Sequence, residues 1–218
     1  MIKLYHILPS SDPMGGSRNA AKVSVALREM DEDFEIVDLN RDKDLRPANS
    51  PFRKNINPNG VTPALDDNGL LLWESSAILR HLADTRKGLI GADAASRAKT
   101  QQWLSWEAST FQPSFLGLYF AIASGQVEAA DAAKNDYFGK LAILDEALNK
   151  GGGFVAGAFS IADIALGMTV PIGFHLGVNL REYSAIVGWL DQLSMRRAWQ
   201  AEPAFMQDMA AGRSASLL

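Results

Sequence analysis

Apolar and polar residues alternate over Ile2–Ile7 (IKLYHI), the two-residue period of a half-buried strand. Leu8–Gly16 (LPSSDPMGG) has no period and is dense in Ser, Pro, Asp and Gly, which predicts a loop. At Ser17 the pattern lengthens: Ala21, Val23, Val25, Ala26, Leu27 and Met30 make a broad apolar stripe behind a serine placed as a helix N-cap. Phe34–Leu39 reads as a second strand, and Asn40–Ile56, polar and broken by Pro47 and Pro51, as irregular chain with a short helix at most. Two apolar runs, Pro63–Leu65 and Leu70–Trp73, then flank Asp67-Asn68-Gly69, a hairpin signal. A helix follows from Glu74-Ser75-Ser76, with Ala77, Ile78 and Leu82 on its apolar face.

From Asp93 the strand pattern disappears. Ala94–Ala123 is one long helical pattern in which Pro113 predicts a kink. Val127–Asn149, ended by Gly151-Gly152-Gly153, Ser160–His175 and Tyr183–Met195 are further helices, with a short helix after Pro203 and frayed residues at 212–218. Strands confined to one half and helices to the other predict two units, 1–82 and 93–218, joined by a Gly-containing linker at 83–92.

Composition narrows the chemistry. Among 218 residues there is no cysteine, which excludes disulfides, a protein thiolate nucleophile and zinc–thiolate sites together. The net charge is -4 and no Lys/Arg run exceeds two residues, so neither nucleic acid nor an anionic membrane is an expected partner. No apolar run reaches the roughly 20 residues of a membrane helix, and the opening Met1-Ile2-Lys3-Leu4 lacks a signal-peptide pattern, so a cytoplasmic protein is expected. His6, His81 and His175 fall on different elements without ligand spacing, and no metal is expected. No phosphate-binding glycine loop is present.

Four places carry candidate chemistry, each with a structural alternative. Ser160-Ile161-Ala162-Asp163 fits a capping box, with Phe159 and Ile164 placed as a staple and no chemistry implied. Pro63 after Thr62 is either a cis proline that turns the Thr62 backbone groups outward, free to pair with an extended ligand, or a trans proline opening an edge strand. Glu74-Ser75-Ser76 either caps its helix or binds an α-amino-acid zwitterion, the carboxylate on the helix N-terminus and the ammonium on Glu74. Ser17 and Asn19 either cap the first helix or donate to an anion at its N-terminus.

These segments, NPNGVTPAL, WESSAI, FSIADIAL and SRNAAKVSVALREM, resemble in order and spacing the cytosolic glutathione transferases over nearly the whole chain. The resemblance implies an α/β, thioredoxin-like N-terminal domain followed by an all-α helical-bundle domain. It implies glutathione as co-substrate, with Thr62 ahead of a cis Pro63 pairing with the cysteinyl part and Glu74 and Ser75 holding the γ-glutamyl head. Ser17, assisted by Asn19, matches the family's catalytic position between first strand and first helix, with Ser11 second because the loop Pro9–Gly16 is longer than the family pattern. Tyr5 lies too early for the tyrosine classes. A small hydrophobic electrophile would meet Met14, Phe111, Phe115 and Tyr119, each also readable as core, in a homodimer that conjugates glutathione for detoxification. The alternatives are a transferase-fold protein that binds glutathione without turnover, and a glutathione-dependent peroxidase or ether-cleaving enzyme.

Overall fold

The computed structural model describes residues 1–12, 15–86, 88–125 and 127–215, the last three by backbone alone. The chain divides into two units, Met1–Gly88 with Arg196–Gln207, and Leu89–Met195 with Asp208–Leu218.

In the first unit, β1 (Ile2–His6) and β2 (Phe34–Asp38) run parallel, from Ile2 opposite Phe34 to His6 opposite Asp38, linked by α1 (Arg18–Glu29). β3 (Ala64–Asp67) lies antiparallel to β1, with Leu65 opposite Leu4, and β4 (Leu70–Trp73) antiparallel to β3, giving the order β2-β1-β3-β4. The β3–β4 turn is two residues, Asn68 (φ 55°) and Gly69 (φ 98°), the left-handed pair that matches strand twist in tight hairpins. Alternation along β1 sends Tyr5 and Ile7 to one face, where they join Leu39, Leu45, Phe52 and Ala64. Phe52 comes from the short α2 (Pro51–Asn55), and its ring centroid lies 5.8 Å from that of Tyr5. On the other face α1 buries an unbroken run from Ala20 to Leu27 beside α3 (Ser75–Thr85), which contributes Ile78, Leu79, Leu82 and Ala83. The linker expected at 83–92 therefore begins inside the last turn of α3.

The second unit is helical. α4 (Ala94–Trp106) starts at a capping box: Asp93 accepts from the amides of Ala95 (2.8 Å) and Ser96 (3.0 Å), and Ser96 Oγ accepts from Asp93 N (3.2 Å). The long helix predicted to Ala123 is interrupted before Pro113, by a π-helical turn over Glu107–Phe111, and resumes as α5 (Gln112–Ser124). Pro113 has no N–H to offer the preceding turn, so the wider ring absorbs the defect upstream of the proline. α6 (Val127–Lys150) follows, then α7 (Ile161–Thr169), every residue of which is buried, then α8 (Ser184–Ser194). α7 was expected to reach His175; it passes into a 3-10 turn at Val170–Leu176, where Pro171 removes an α-helical donor. At its start Asp163 accepts from Ser160 N and Ser160 Oγ (both 3.0 Å), Val155 N (3.1 Å) and Trp189 Nε1 (3.2 Å). Burial pushes its carboxyl up to about 6 against the pull of those donors.

Residues 196–207, in the half expected to be a separate helical unit, belong to the sheet unit. They comprise α9 (Arg197–Gln200) and the first turns of α10 (Pro203–Ala215). Trp199 and Phe205 are fully buried with ring centroids 4.8 Å apart. Arg196 forks onto Glu29 of α1 (2.7 and 2.6 Å), and Arg28 reaches Glu202 at 3.2 Å. None of the described helices is long and apolar enough to cross a membrane.

Candidate functional site

Several segments converge on one end of the sheet. β1 ends at His6; β3 begins at Ala64 opposite Tyr5; β4 ends at Trp73 opposite Ala64. Ser17 N donates to Ile7 O at 3.0 Å, fastening the start of α1 to the end of β1. Ser17, Thr62, Pro63, Glu74 and Ser75 thus share this end.

The Thr62–Pro63 peptide is cis, not the trans proline of the alternative reading. Neither backbone polar group of Thr62 bonds to another backbone group among the described residues. The loop before it is rigidly built. Buried Asn57 donates from Nδ2 to Val61 O (2.8 Å) and accepts from Asn59 N (3.0 Å), while Gly60 N donates to Asn57 O (3.0 Å). Gly60 has φ +66°, and a Cβ there would meet Leu45 O at 2.6 Å, so the NPNG segment requires its glycine. An open N–H and C=O on a fixed backbone can pair with an extended peptide as an added strand does.

Glu74 precedes α3 at φ +72°, ψ +114°, a conformation that costs a non-glycine residue on the order of 1–3 kcal/mol. The Glu74 side chain makes no capping bond, so among the described residues the first amides of α3 are open to an external acceptor. Glu74 itself is exposed. A carboxylate beside open helix N–H groups offers one partner to an ammonium and another to a carboxylate.

Ser17 is the N-cap of α1: its Oγ accepts from Ala20 N at 3.2 Å, which leaves its own O–H to donate. Asn19 holds the Nζ of buried Lys22 at 2.8 Å. Ser11 ends a 3-10 turn (Pro9–Ser11) and donates to Leu8 O and Asp38 Oδ1, both at 3.0 Å, so its hydroxyl serves the loop. Two other titratable groups of β1 do not serve the site. His6 is fully buried with Nδ1 2.8 Å from Ile7 O, and burial lowers it to about 4, keeping it neutral. Burial, with Asp66 and Glu35 nearby, raises the Tyr5 hydroxyl.

Of the residues expected at the electrophile, Phe111 and Phe115 are core residues of the second unit, packed on buried Tyr137 with centroids at 5.4 and 6.1 Å. Tyr119 is 43% exposed, beside Phe120. Met14 lies outside the described residues. Among the described residues no cluster of three or more His, Asp or Glu could hold a metal ion. A polar pair the sequence did not single out also lies here: the Asp12 side chain, 3% exposed, accepts from Arg41 Nε at 2.9 Å and from Gly16 N at 3.1 Å. No periodicity announces it; an acid within a Ser/Pro/Gly loop reads as solvated.

Comparison with known proteins identifies the family. Residues 13–84 match the family model "Glutathione S-transferase, N-terminal domain". The chain is similar to glutathione S-transferase GstB of Escherichia coli, 30% identical over 191 residues, covering 84% of this chain and 91% of that one. It is also similar to the disulfide-bond oxidoreductase YfcG of E. coli, 29% identical over 193 residues, covering 83% and 87%. Among solved structures it resembles a glutathione transferase from Pseudomonas putida with one glutathione disulfide bound per subunit, at 28% identity and TM-score 0.76, covering 95% and 90%. The thioredoxin-like sheet unit, the helical unit and these similarities lead to one conclusion: the chain belongs to the glutathione S-transferase family.

Proposed function

We propose that this protein binds glutathione at the sheet end described above, activates it as the thiolate, and conjugates it to small hydrophobic electrophiles. The observation that carries the reading is the cis Thr62–Pro63 bond with open Thr62 backbone groups beside the uncapped N-terminus of α3. In this reading Thr62 pairs with the cysteinyl residue as an added strand. The α-carboxylate of the γ-glutamyl head lies on the first amides of α3 and Ser75, and its ammonium on Glu74. Ser17 O–H donates to the sulfur. A serine does not remove the thiol proton; it lowers the thiol's pKa by stabilising the thiolate, and the proton leaves to solvent. Lowering a thiol from about 8.5 to about 6.5 requires roughly 2.7 kcal/mol of preference for the anion. One hydrogen bond to a charged acceptor supplies about 1.5–3 kcal/mol and a helix N-terminus about 0.3–1 kcal/mol. The thiolate then attacks the electrophilic carbon and displaces its leaving group. Ser11 and Asn19 stand behind Ser17, because both side chains already serve other partners.

A second reading has its own support, the similarity to YfcG and to a structure holding glutathione disulfide. There the same thiolate attacks a disulfide sulfur, releasing one thiolate. A second glutathione then resolves the mixed disulfide, giving glutathione disulfide and the other thiol. No protein cysteine is needed, and none is present.

Glutathione calorimetry, with turnover of a chloronitrobenzene, a peroxide and a small disulfide, separates these for wild type, Ser17→Ala and Ser17→Thr. Ser17→Ala is expected to keep glutathione affinity while losing turnover by about tenfold to a hundredfold, the worth of one hydrogen bond to a charged acceptor. Ser17→Thr, which keeps cap and hydroxyl, retains most of it. Absence of glutathione binding at millimolar concentration would end both readings. Turnover of the disulfide alone would select the second.

A further inference from the structure

Asp12 is a nearly inaccessible carboxylate in a loop whose composition is that of a solvent-facing turn. A charge so placed persists only when paired and hydrogen-bonded. Its Oδ2 takes the Gly16 amide at 3.1 Å and the Arg41 guanidinium through Nε and Nη2, both at 2.9 Å. The Gly16 carbonyl lies 3.5 Å from Arg41 Nη2. The two side chains therefore grip both polar groups of the residue that feeds directly into Ser17. Gly16 has no freedom of its own: at φ +79°, a Cβ would stand 2.8 Å from Ile7 O and Pro9 N.

Arg41 is held as firmly from its own side. It opens a π-helical turn, Arg41–Leu45, whose cap Asn40 accepts from the amides of Asp42 (3.0 Å) and Lys43 (3.1 Å). Leu39 N bonds to His6 O at 2.8 Å, tying that turn to the end of β1. π-helical turns recur at functional sites, and this one aims its first side chain at the loop carrying Ser17.

We propose that Asp12 and Arg41 are positioning residues that fix the direction of the Ser17 hydroxyl and so set the acidity of bound glutathione. The proposal rests on Ser17 as the thiolate's donor. Neither residue touches the sulfur; they act through the Gly16 peptide.

The test compares full-length wild type with Asp12→Asn, Arg41→Gln, Arg41→Lys and the Asp12→Asn/Arg41→Gln double variant. Three readouts are taken: the pH profile of kcat/KM with a chloronitrobenzene, glutathione affinity by calorimetry, and amide hydrogen exchange. The acid limb of the profile is expected to move up by about one unit, so turnover below it falls about tenfold. Glutathione affinity should change less than about threefold, because Thr62 and the α3 N-terminus are untouched. The amides of Ser17 and Ala20 are expected to exchange about tenfold faster, with those of α3 unchanged. Arg41→Lys, which keeps the charge and loses the fork, should move the profile part of the way. The double variant should be no worse than either single one, because the pair acts as a unit. An unmoved profile, a loss confined to glutathione affinity, or additive losses would overturn the positioning role. The exchange readout needs no turnover. Failure of wild type to bind glutathione would remove the Ser17 reading, whereas unchanged exchange at Ser17 and Ala20 would sink the Asp12–Arg41 proposal by itself.

Discussion

Glu74 is held at φ +72° with no glycine to relieve it, at a place where its side chain is exposed and caps nothing. Replacing a strained residue by glycine removes the steric cost of the conformation while adding unfolded-state freedom of about 0.5–1 kcal/mol, so the two oppose each other with the strain relief at least as large. Glu74→Gly should therefore leave the unfolding free energy from a urea titration unchanged or raise it by up to about 2 kcal/mol. If Glu74 is the ammonium's partner, the same change weakens glutathione binding about tenfold to a hundredfold, the worth of a hydrogen bond to a charged group. Calorimetry and a denaturation curve on one preparation decide the matter. Lost stability with unchanged affinity would make Glu74 a structural residue. Neighbouring Ser75 and Ser76 resemble caps in sequence, and only the backbone angles reveal that the residue before them makes no capping bond.

At the scale of elements, the β3–β4 hairpin is clasped to α3 by one carboxylate. Asp67 accepts both Arg86 Nη1 (2.6 Å) and Nη2 (2.7 Å), and His81 Nε2 lies 2.7 Å away. Arg86 Nε also lies 3.6 Å from Glu32. The Arg86 fork, then His81, hold the Asp67 carboxyl well below the usual carboxylate range. A carboxyl depressed in the folded state contributes stability above its unfolded value, and that contribution fades as pH falls through the folded one. Arg86→Ala is accordingly expected to cost about 2 kcal/mol at neutral pH. The gap to wild type should narrow steadily below about pH 4. Urea titrations at several pH values read this directly; a gap independent of pH would assign the cost to packing.

The hairpin itself was plain in Asn68-Gly69 between two apolar runs, and the cap of α7 in the spacing of Ser160 and Asp163, because both signals are local. The π-helical turn at Glu107–Phe111 was not, since the apolar stripe from Trp103 to Tyr119 runs through it unbroken. Pro113 announced a break but not its place, as the lost donor is felt by the preceding turn. Of the candidate site, the cis bond at Pro63 and the Ser17 N-cap at the head of α1 were legible from residue type. Arg41 was hidden in a polar stretch, where pairing between distant charges leaves no period.

For the whole molecule, the sheet unit is completed from far along the chain. Arg196 covers Glu29, whose side chain is 9% exposed, and Trp199 and Phe205 fill the unit beside α1. Arg196→Ala leaves that carboxylate under-paired and is expected to cost about 1–3 kcal/mol. Thermal melts should show the loss, and glutathione at saturating concentration should recover part of it, since a ligand bound only by the folded state stabilises by mass action. A melt indifferent to the substitution would mean the clasp is decorative.

The same discontinuity orders events during synthesis. When Met1–Gly88 has emerged from the ribosome, every strand and both helices of its α1–α3 layer are present, yet the slot for Trp199 and Phe205 stays open until all of Leu89–Met195 has been translated. Closing so distant a contact is entropically late and kinetically slow. Nascent chains arrested before residue 196 should therefore remain protease-sensitive, so that the sheet unit matures only after the intervening helices have been made.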